Sequence, residues 1–360
     1  MFNKRLSQNN RQENKPDFCY LKRKQPERSP VKGTFFVLLS IFLLCCLPVS
    51  ANAGSRSVIR SYVSVVQTMA DTESLHEQIS DGLYRKGYKI YYYISGKMQT
   101  GWQEIDGQHY YFSPETGAAL TGKKTIGNAV YYFHRDGTMH TGWKKRNGQT
   151  YYFDDKTGKM QTGWQNIYGQ KYYLSPREPE KGALLKNCIA GTEDTGFYYV
   201  DQSGIQVKDA GISAAVRYIR KYAKENQTSA VKLQKCYEAL QNNFHYRTSQ
   251  EIPDAQKLSA FAYDLLTNEK GNCYRYAAGF ACIAKVLGYE SRIQIGNVSG
   301  RYGEMEPHGW AEVKHHGVWY KCDVNMGLFM YAGKTSRTYS NQKTYQLMIH
   351  KGNAVWKLQE

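Results

Sequence analysis

Aromatic triplets that return about every 20 residues constrain this chain more than any other feature, a period at the short end of those that signal stacked repeats. They are Tyr110-Tyr111-Phe112, Tyr131-Tyr132-Phe133, Tyr151-Tyr152-Phe153 and Tyr172-Tyr173-Leu174, with weaker copies at Tyr92-Tyr93-Ile94 and Tyr198-Tyr199-Val200. Between them stand Gly101-Trp102, Gly142-Trp143 and Gly163-Trp164, with Gly122-Lys123 in register. Each unit holds two short β-rich runs split by a turn such as Asp106-Gly107 or Asn147-Gly148. Such pairs favour hairpins because they accept the positive φ that a two-residue turn demands. A lone hairpin is marginal in water, so the pattern predicts a β-hairpin solenoid over residues 81–207 in which stacking supplies the core.

Alternation along the second strand sorts the aromatics. The middle tyrosines share a face with His109, Val130, Thr150 and Lys171, mostly polar, which predicts that Tyr111, Tyr132, Tyr152 and Tyr173 face a groove. Tyr110, Phe112, Tyr151 and Phe153 then point into the core. With Trp102, Trp143 and Trp164, the middle tyrosines are the candidate ligand-binding residues of the repeats. The run Gly-Trp-Gln-x-Ile-x-Gly-Gln-x-Tyr-Tyr-Phe, residues 101–112, resembles the cell-wall-binding repeats of choline-binding, glucan-binding and large toxin proteins of bacteria. That resemblance implies a wall glycan, a glucan or a choline-bearing teichoic acid as partner. Where the choline-binding branch carries an extra Trp before the tyrosine pair, this chain has His109, Val130, Thr150 and Lys171, which favours a glycan held by aromatic stacking.

The N-terminus bears on location. Nine bases and three acids occupy the first 33 residues, followed by an apolar run to Leu47, Pro48 and the small residues Ser50-Ala51-Asn52-Ala53. This is the layout of a signal peptide over 1–53, with a polar connector over 54–80, and it predicts a secreted protein retained at a bacterial cell wall or surface. The net charge of +17 suits anionic surroundings. The bases are dispersed and no recognition motif accompanies them, so nucleic acid is not an expected partner. Cys19, Cys45 and Cys46 lie in or before the apolar run, leaving Cys188, Cys236, Cys273, Cys282 and Cys322. That odd number requires at least one free thiol. The spacing contains no pattern for metal ligation, and neither a metal nor a cofactor is expected.

From about residue 208 the periodicity becomes helical, over 211–227, 230–243, 255–268 and from Cys273 towards Gly288. Strands are expected at 292–295, 309–314, 318–324, 345–350 and 354–358. Cys273 opens the last of these helices, and a helix N-terminus favours the nucleophilic thiolate. Two hairpin registers are open for the segment that follows. A loop at His315-His316 sets His308 opposite Asp323, whereas a loop at His316-Gly317 sets His308 opposite Asn325 with Asp323 as its diagonal neighbour. Both put His308 and Asp323 on one sheet face within reach of each other. A carboxylate beside an imidazole fixes its tautomer and stabilises it once it takes the thiol proton. His315 and His316 read as turn residues without a chemical role.

The segments Gly271-Asn272-Cys273-Tyr274-Arg275-Tyr276-Ala277, His308-Gly309-Trp310-Ala311-Glu312-Val313 and Trp319-Tyr320-Lys321-Cys322-Asp323 resemble the transglutaminase-like core family. The resemblance implies a papain-like α+β domain, placed here over 208–360, with Cys273 as nucleophile, His308 as base and acid and Asp323 as orienter. It implies a peptide or protein substrate, with either hydrolysis or acyl transfer to an amine as the reaction. A non-catalytic adhesin or scaffold is the remaining alternative. The backbone N–H of Cys273 is the first candidate donor to an oxyanion, and Gln241 or Tyr246 the second.

Overall fold

The computed structural model describes residues 81–249 and 251–359. The expected signal segment and connector lie outside them. The chain divides into two compact units, one ending at His140 and one beginning at Thr141. This division falls earlier than the expected change at 207/208, for the hairpins after Thr141 group with the helical region. The last of them contributes Tyr199 to the same core as the helices, and Asp201 accepts a hydrogen bond from the Gly352 N–H at 2.9 Å.

In the first unit a three-stranded antiparallel sheet, Gly82–Lys86, Lys89–Ile94 and Lys97–Met98, precedes two hairpins. These are Gly101–Ile105 with Gln108–Phe112, and Gly122–Ile126 with Ala129–Phe133. The second unit opens with three more: Gly142–Arg146 with Gln149–Phe153, Gly163–Ile167 with Gln170–Leu174, and Cys188–Thr192 with Gly196–Val200. Each is a two-stranded sheet of its own. The turn chemistry is the expected one, Asp106 and Gly107 having φ of 51° and 71°, Asn147 and Gly148 of 49° and 76°. Tyr110, Phe112, Tyr131 and Phe133 are buried, and Tyr111 and Tyr132 are half-buried.

The hairpins after Thr141 depart from the expected sorting. Tyr152 and Tyr173 are buried and Tyr151 is half-buried, because each middle tyrosine is covered by the hairpin that follows. Tyr152 packs with Ile167, Leu174 and Leu184, and Tyr173 with Cys188, Ala190 and Val200. Alternation assigns a face, while coverage by neighbours decides burial.

The α+β region follows with four helices. They are α1 (Ala210–Tyr222), α2 (Ser229–Asn243), α3 (Leu258–Asn268) and α4 (Cys273–Val286). Asp209 caps α1 by accepting from the Ile212 N–H, and Thr228 caps α2 by accepting from the Val231 N–H. Two helices are shorter than their periodicity suggests. The first stops at Tyr222 rather than 227, since Ala223 is extended and its N–H closes on the Ile219 carbonyl. The third starts at Leu258 rather than 255, because the Asp254 carboxylate holds the N–H groups of Gln256 and Lys257 in a turn. Helix α4 is buried on nearly every side, only Arg275 and Lys285 escaping, and forms the centre of the domain.

Against α4 lies a six-stranded antiparallel sheet in the order β4-β3-β2-β1-β5-β6, with β1 (Glu290–Ser299), β2 (Met305–His315), β3 (Val318–Asp323), β4 (Leu328–Tyr331), β5 (Tyr339–His350) and β6 (Asn353–Gln359). The β2–β3 turn is His316-Gly317, with φ of 48° and 80°. His315 pairs with Val318, which selects the second of the two open registers. Strand β4 was not legible in the sequence.

Candidate active site

The site is assembled at the start of α4. The Asn272 side chain, almost fully buried, accepts from the Arg275 N–H at 3.2 Å and donates to the Ser249 carbonyl at 3.3 Å. This cap fixes Cys273 as the first helical residue. Gly309 lets strand β2 come close: a Cβ there would stand 2.5 Å from Cδ1 of the Tyr274 ring. The close approach brings His308, one residue earlier on β2, to the helix terminus.

His308 and Asp323 are both buried, and His308 Nε2 lies 2.7 Å from Asp323 Oδ2. Burial draws the imidazole's proton affinity down, but the hydrogen bond to Asp323, one to the Cys273 side chain and the charges of both groups outweigh it, raising the pKa to about 9. With Nε2 committed to Asp323, Nδ1 is the nitrogen left for Cys273. The same Asp323 oxygen accepts the Tyr339 hydroxyl at 2.8 Å, Oδ1 accepts the Met326 N–H at 3.3 Å, and the Asp323 carbonyl accepts from Tyr237 at 3.4 Å. Trp310 lies parallel to the imidazole, the planes 17° apart, and edge-on to Tyr339. The Lys321 ammonium sits 3.2 Å from the Tyr339 ring centroid and 5.2 Å from that of Trp310.

Tyr246 also interacts with the Cys273 side chain. It belongs to a two-residue strand, His245–Tyr246, which pairs in parallel with Lys270–Gly271 and sets Tyr246 opposite Gly271. Burial, the Cys273 charge and a hydrogen bond to the Cys273 side chain push its phenol up to about 12, against a bond to the Cys273 backbone. Gln241, the other candidate donor, has its amide nitrogen beside Gly327. The domain holds three further thiols. Burial pushes Cys236 and Cys322 up to about 12 and Cys282 well above its ordinary range, which leaves them as inert core groups. Among the described residues no group of three or more His, Cys, Asp or Glu is placed to hold a metal ion.

Tyr339, Trp310 and Lys321 did not figure among the sequence candidates. Trp310 shares a strand face with His308 two residues away, so alternation could have found it. Tyr339 arrives on β5 through a pairing with β1 that is interrupted between Ile295 and Gly296, and no local signal announces it.

In the hairpins, Trp102 packs edge-on to Tyr111 of its own hairpin and Tyr131 of the next, with ring centroids 5.2 and 4.9 Å away. Trp143 lies between Tyr152, to which it is tilted, and Tyr172, to which it is edge-on, both at 5.0 Å. Trp164 lies between Tyr173 and Tyr198, where the Lys171 ammonium covers its face at 5.1 Å. Tyr132, whose hairpin has Lys123 in the tryptophan slot, is flanked by the rings of His134 and His140.

Comparison with known families places these parts. Residues 216–324 match the transglutaminase-like superfamily, residues 120–162 a choline-binding repeat, and residues 100–119 and 162–176 a putative cell wall binding repeat. Among solved structures, choline binding protein F from Streptococcus pneumoniae is 32% identical over 36% of this chain and 41% of its own, with a TM-score of 0.32. CbpJ from Streptococcus pneumoniae TIGR4 is 27% identical over 36% of this chain and 52% of its own, with a TM-score of 0.27. A truncated alternansucrase from Leuconostoc mesenteroides is 28% identical over 36% of this chain and 11% of its own, with a TM-score of 0.20. The chain thus spans less than two thirds of each. A search of curated proteins returns no match.

Proposed function

Given a chain with a transglutaminase-like core at 216–324 behind choline-binding and cell-wall-binding repeats, we propose an exported, wall-held thiol enzyme that cleaves an amide bond through a thioester on Cys273. The repeats support association with a cell wall. The observation that carries the chemistry is the buried His308, bonded to Asp323 at 2.7 Å through one nitrogen and interacting with the Cys273 side chain.

In this reading the Cys273 thiolate attacks the substrate carbonyl carbon, and the carbonyl oxygen gathers the negative charge. The Cys273 N–H and the Tyr246 hydroxyl are the donors that receive that charge. His308, protonated and held by Asp323, gives its proton to the departing amine nitrogen as the C–N bond breaks. Water then attacks the thioester while His308 takes its proton, the C–S bond breaks, and the thiolate–imidazolium pair is restored. An amine in place of water would join two chains instead, so product analysis with and without an added amine separates hydrolysis from transfer.

The test is alkylation of Cys273 by iodoacetamide across pH, followed by mass spectrometry. The wild-type thiol should react well below the ordinary cysteine pKa of about 8.5, and His308→Ala should slow labelling at neutral pH by at least about tenfold. Labelling that follows an ordinary free cysteine in both proteins would overturn the proposal.

A further inference from the structure

Asp323 is held by more than its imidazole partner. The Tyr339 hydroxyl makes its hydrogen bond to Asp323 Oδ2 at 2.8 Å, the same oxygen that lies 2.7 Å from His308 Nε2, while Oδ1 accepts the Met326 N–H. An ionised carboxylate can only accept, so the phenol is the donor. Burial first, and then the Asp323 charge and this bond, hold the phenol protonated. Over its ring, 3.2 Å from the centroid, sits the Lys321 ammonium. A cation there draws on the ring's electrons, which makes the O–H a stronger donor. Lys321 stands opposite Glu312 in the register of β2 and β3, but Glu312 is bonded to Arg292 at 2.7 Å.

We propose that Tyr339 is a positioning residue of the thiol reaction: by sharing Asp323 Oδ2 with His308, its hydroxyl limits how tightly the carboxylate holds the imidazolium, and so sets the strength of His308 as an acid. A donor bonded to the carboxylate favours its charged form but takes up part of that charge, which weakens its pull on the Nε2–H. The consequence falls on the step in which the C–N bond breaks. There the proton leaves Nδ1 for the departing amine nitrogen, and an imidazolium held without this restraint would be the weaker acid. Asp323 stays ionised and His308 keeps its Nε2 proton throughout. The inference rests on the thioester reading of Cys273.

Titratable and charged groups face Tyr339 and Asp323 from each neighbouring element. Tyr237 from α2, Tyr246 ahead of α4 and Cys322 on β3 all lie above their ordinary ranges, chiefly through burial, so they are neutral near pH 7. Glu312 on β2 is tied to Arg292. Lys321 on β3 is drawn down by burial against the pull of Glu312 and Asp323. Arg337, just before β5, donates to the Ser299 carbonyl at 2.6 Å. Cys273 completes the set as the group that exchanges a proton with His308.

The test is an NMR titration of the histidine side chains in the full chain, with His308→Ala to assign the resonance. Tyr339→Phe keeps the ring and the Lys321 contact, and should raise the His308 pKa by about 0.5 or more, which is roughly threefold in proton affinity. A monofluorinated tyrosine in place of Tyr339, a more acidic phenol and a stronger donor, should lower it. Opposite shifts from two variants that both keep the ring are a signature that packing alone would not give. The alkaline limit of Cys273 labelling by iodoacetamide should move with the His308 pKa in each. A His308 pKa that neither variant moves, or that moves in the opposite sense, would overturn the inference and leave the thiol reading standing. Wild-type labelling that follows an ordinary cysteine would sink that reading instead, whatever the His308 titration shows.

Discussion

The hairpins and the α+β region bury their aromatic residues by different routes. After Thr141 each hairpin cluster is small and shared by two successive hairpins, Tyr152 with Ile167 and Leu174, then Tyr173 with Cys188 and Val200. The α+β region instead closes one large cluster around α4, reaching from Tyr199 to Trp356. Damage to a hairpin therefore stays with its neighbours. Damage beneath α4 reaches the first residue of that helix, Cys273. Among the described residues, only the larger core also encloses a buried ionisable pair, His308 with Asp323, whose charges, out of water, are paired and hydrogen-bonded.

The largest contrast should come from Asp323→Asn. Its loss removes the main influences that hold His308 protonated, and thiol labelling at neutral pH should fall by at least about tenfold. Stability should change with a definite sign. His308 is raised from 6.5 to about 9, so its contribution is fully present below pH 6.5 and is lost as pH rises through about 9. The stability gap between wild type and variant, read by urea denaturation, should be on the order of 3 kcal/mol near pH 6 and shrink towards alkaline pH. A gap that stays flat with pH would remove the ion pair from the comparison.

Next is Gly309→Ala. The new methyl meets the Tyr274 ring at 2.5 Å, with the Tyr274 Cα 3.4 Å away, and overpacking of this kind costs about 1–3 kcal/mol. Thermal melting should show that loss, and labelling of Cys273 should slow as β2 and α4 separate. Loss of stability with unchanged labelling would mean that the close approach serves packing alone.

How much of this was readable beforehand follows the same division. Hairpin turns are local, and pairs such as Asn147-Gly148 announced them through the positive φ they accept. The helix start at Cys273 was equally local, and its cap Asn272 is its immediate neighbour. His308 and Asp323 were readable because one tight hairpin joins them. Tyr339 was not, since its bond to Asp323 depends on β5 pairing with a strand about forty residues earlier across an irregular register. The burial of Tyr152 and Tyr173 was missed for a related reason, as it depends on side chains of the following hairpin.

On the repeat side, Trp102→Ala should cost the first unit about 1–2 kcal/mol by removing its packing against Tyr111 and Tyr131. Cys273 labelling should be unchanged while retention on purified cell walls falls. Full retention would take Trp102 out of the ligand-binding set.

The smallest effect, and the most discriminating for the ligand, belongs to Lys171. Its ammonium lies 5.1 Å from the Trp164 ring centroid and 5.6 Å from that of Tyr198, so the protein's own cation covers the aromatic face that a quaternary ammonium would use. Lys171→Ala should uncover that face with little change in melting temperature. If the hairpins recognise choline, retention of the full chain on choline resin should rise a few-fold, a gain of roughly 1 kcal/mol. If they recognise a glycan by stacking, retention on dextran or purified walls should rise instead, with choline resin unaffected. No change on any of the three would mean that Trp164 and Tyr198 only join successive hairpins, and would leave ligand binding to Trp102 and Trp143.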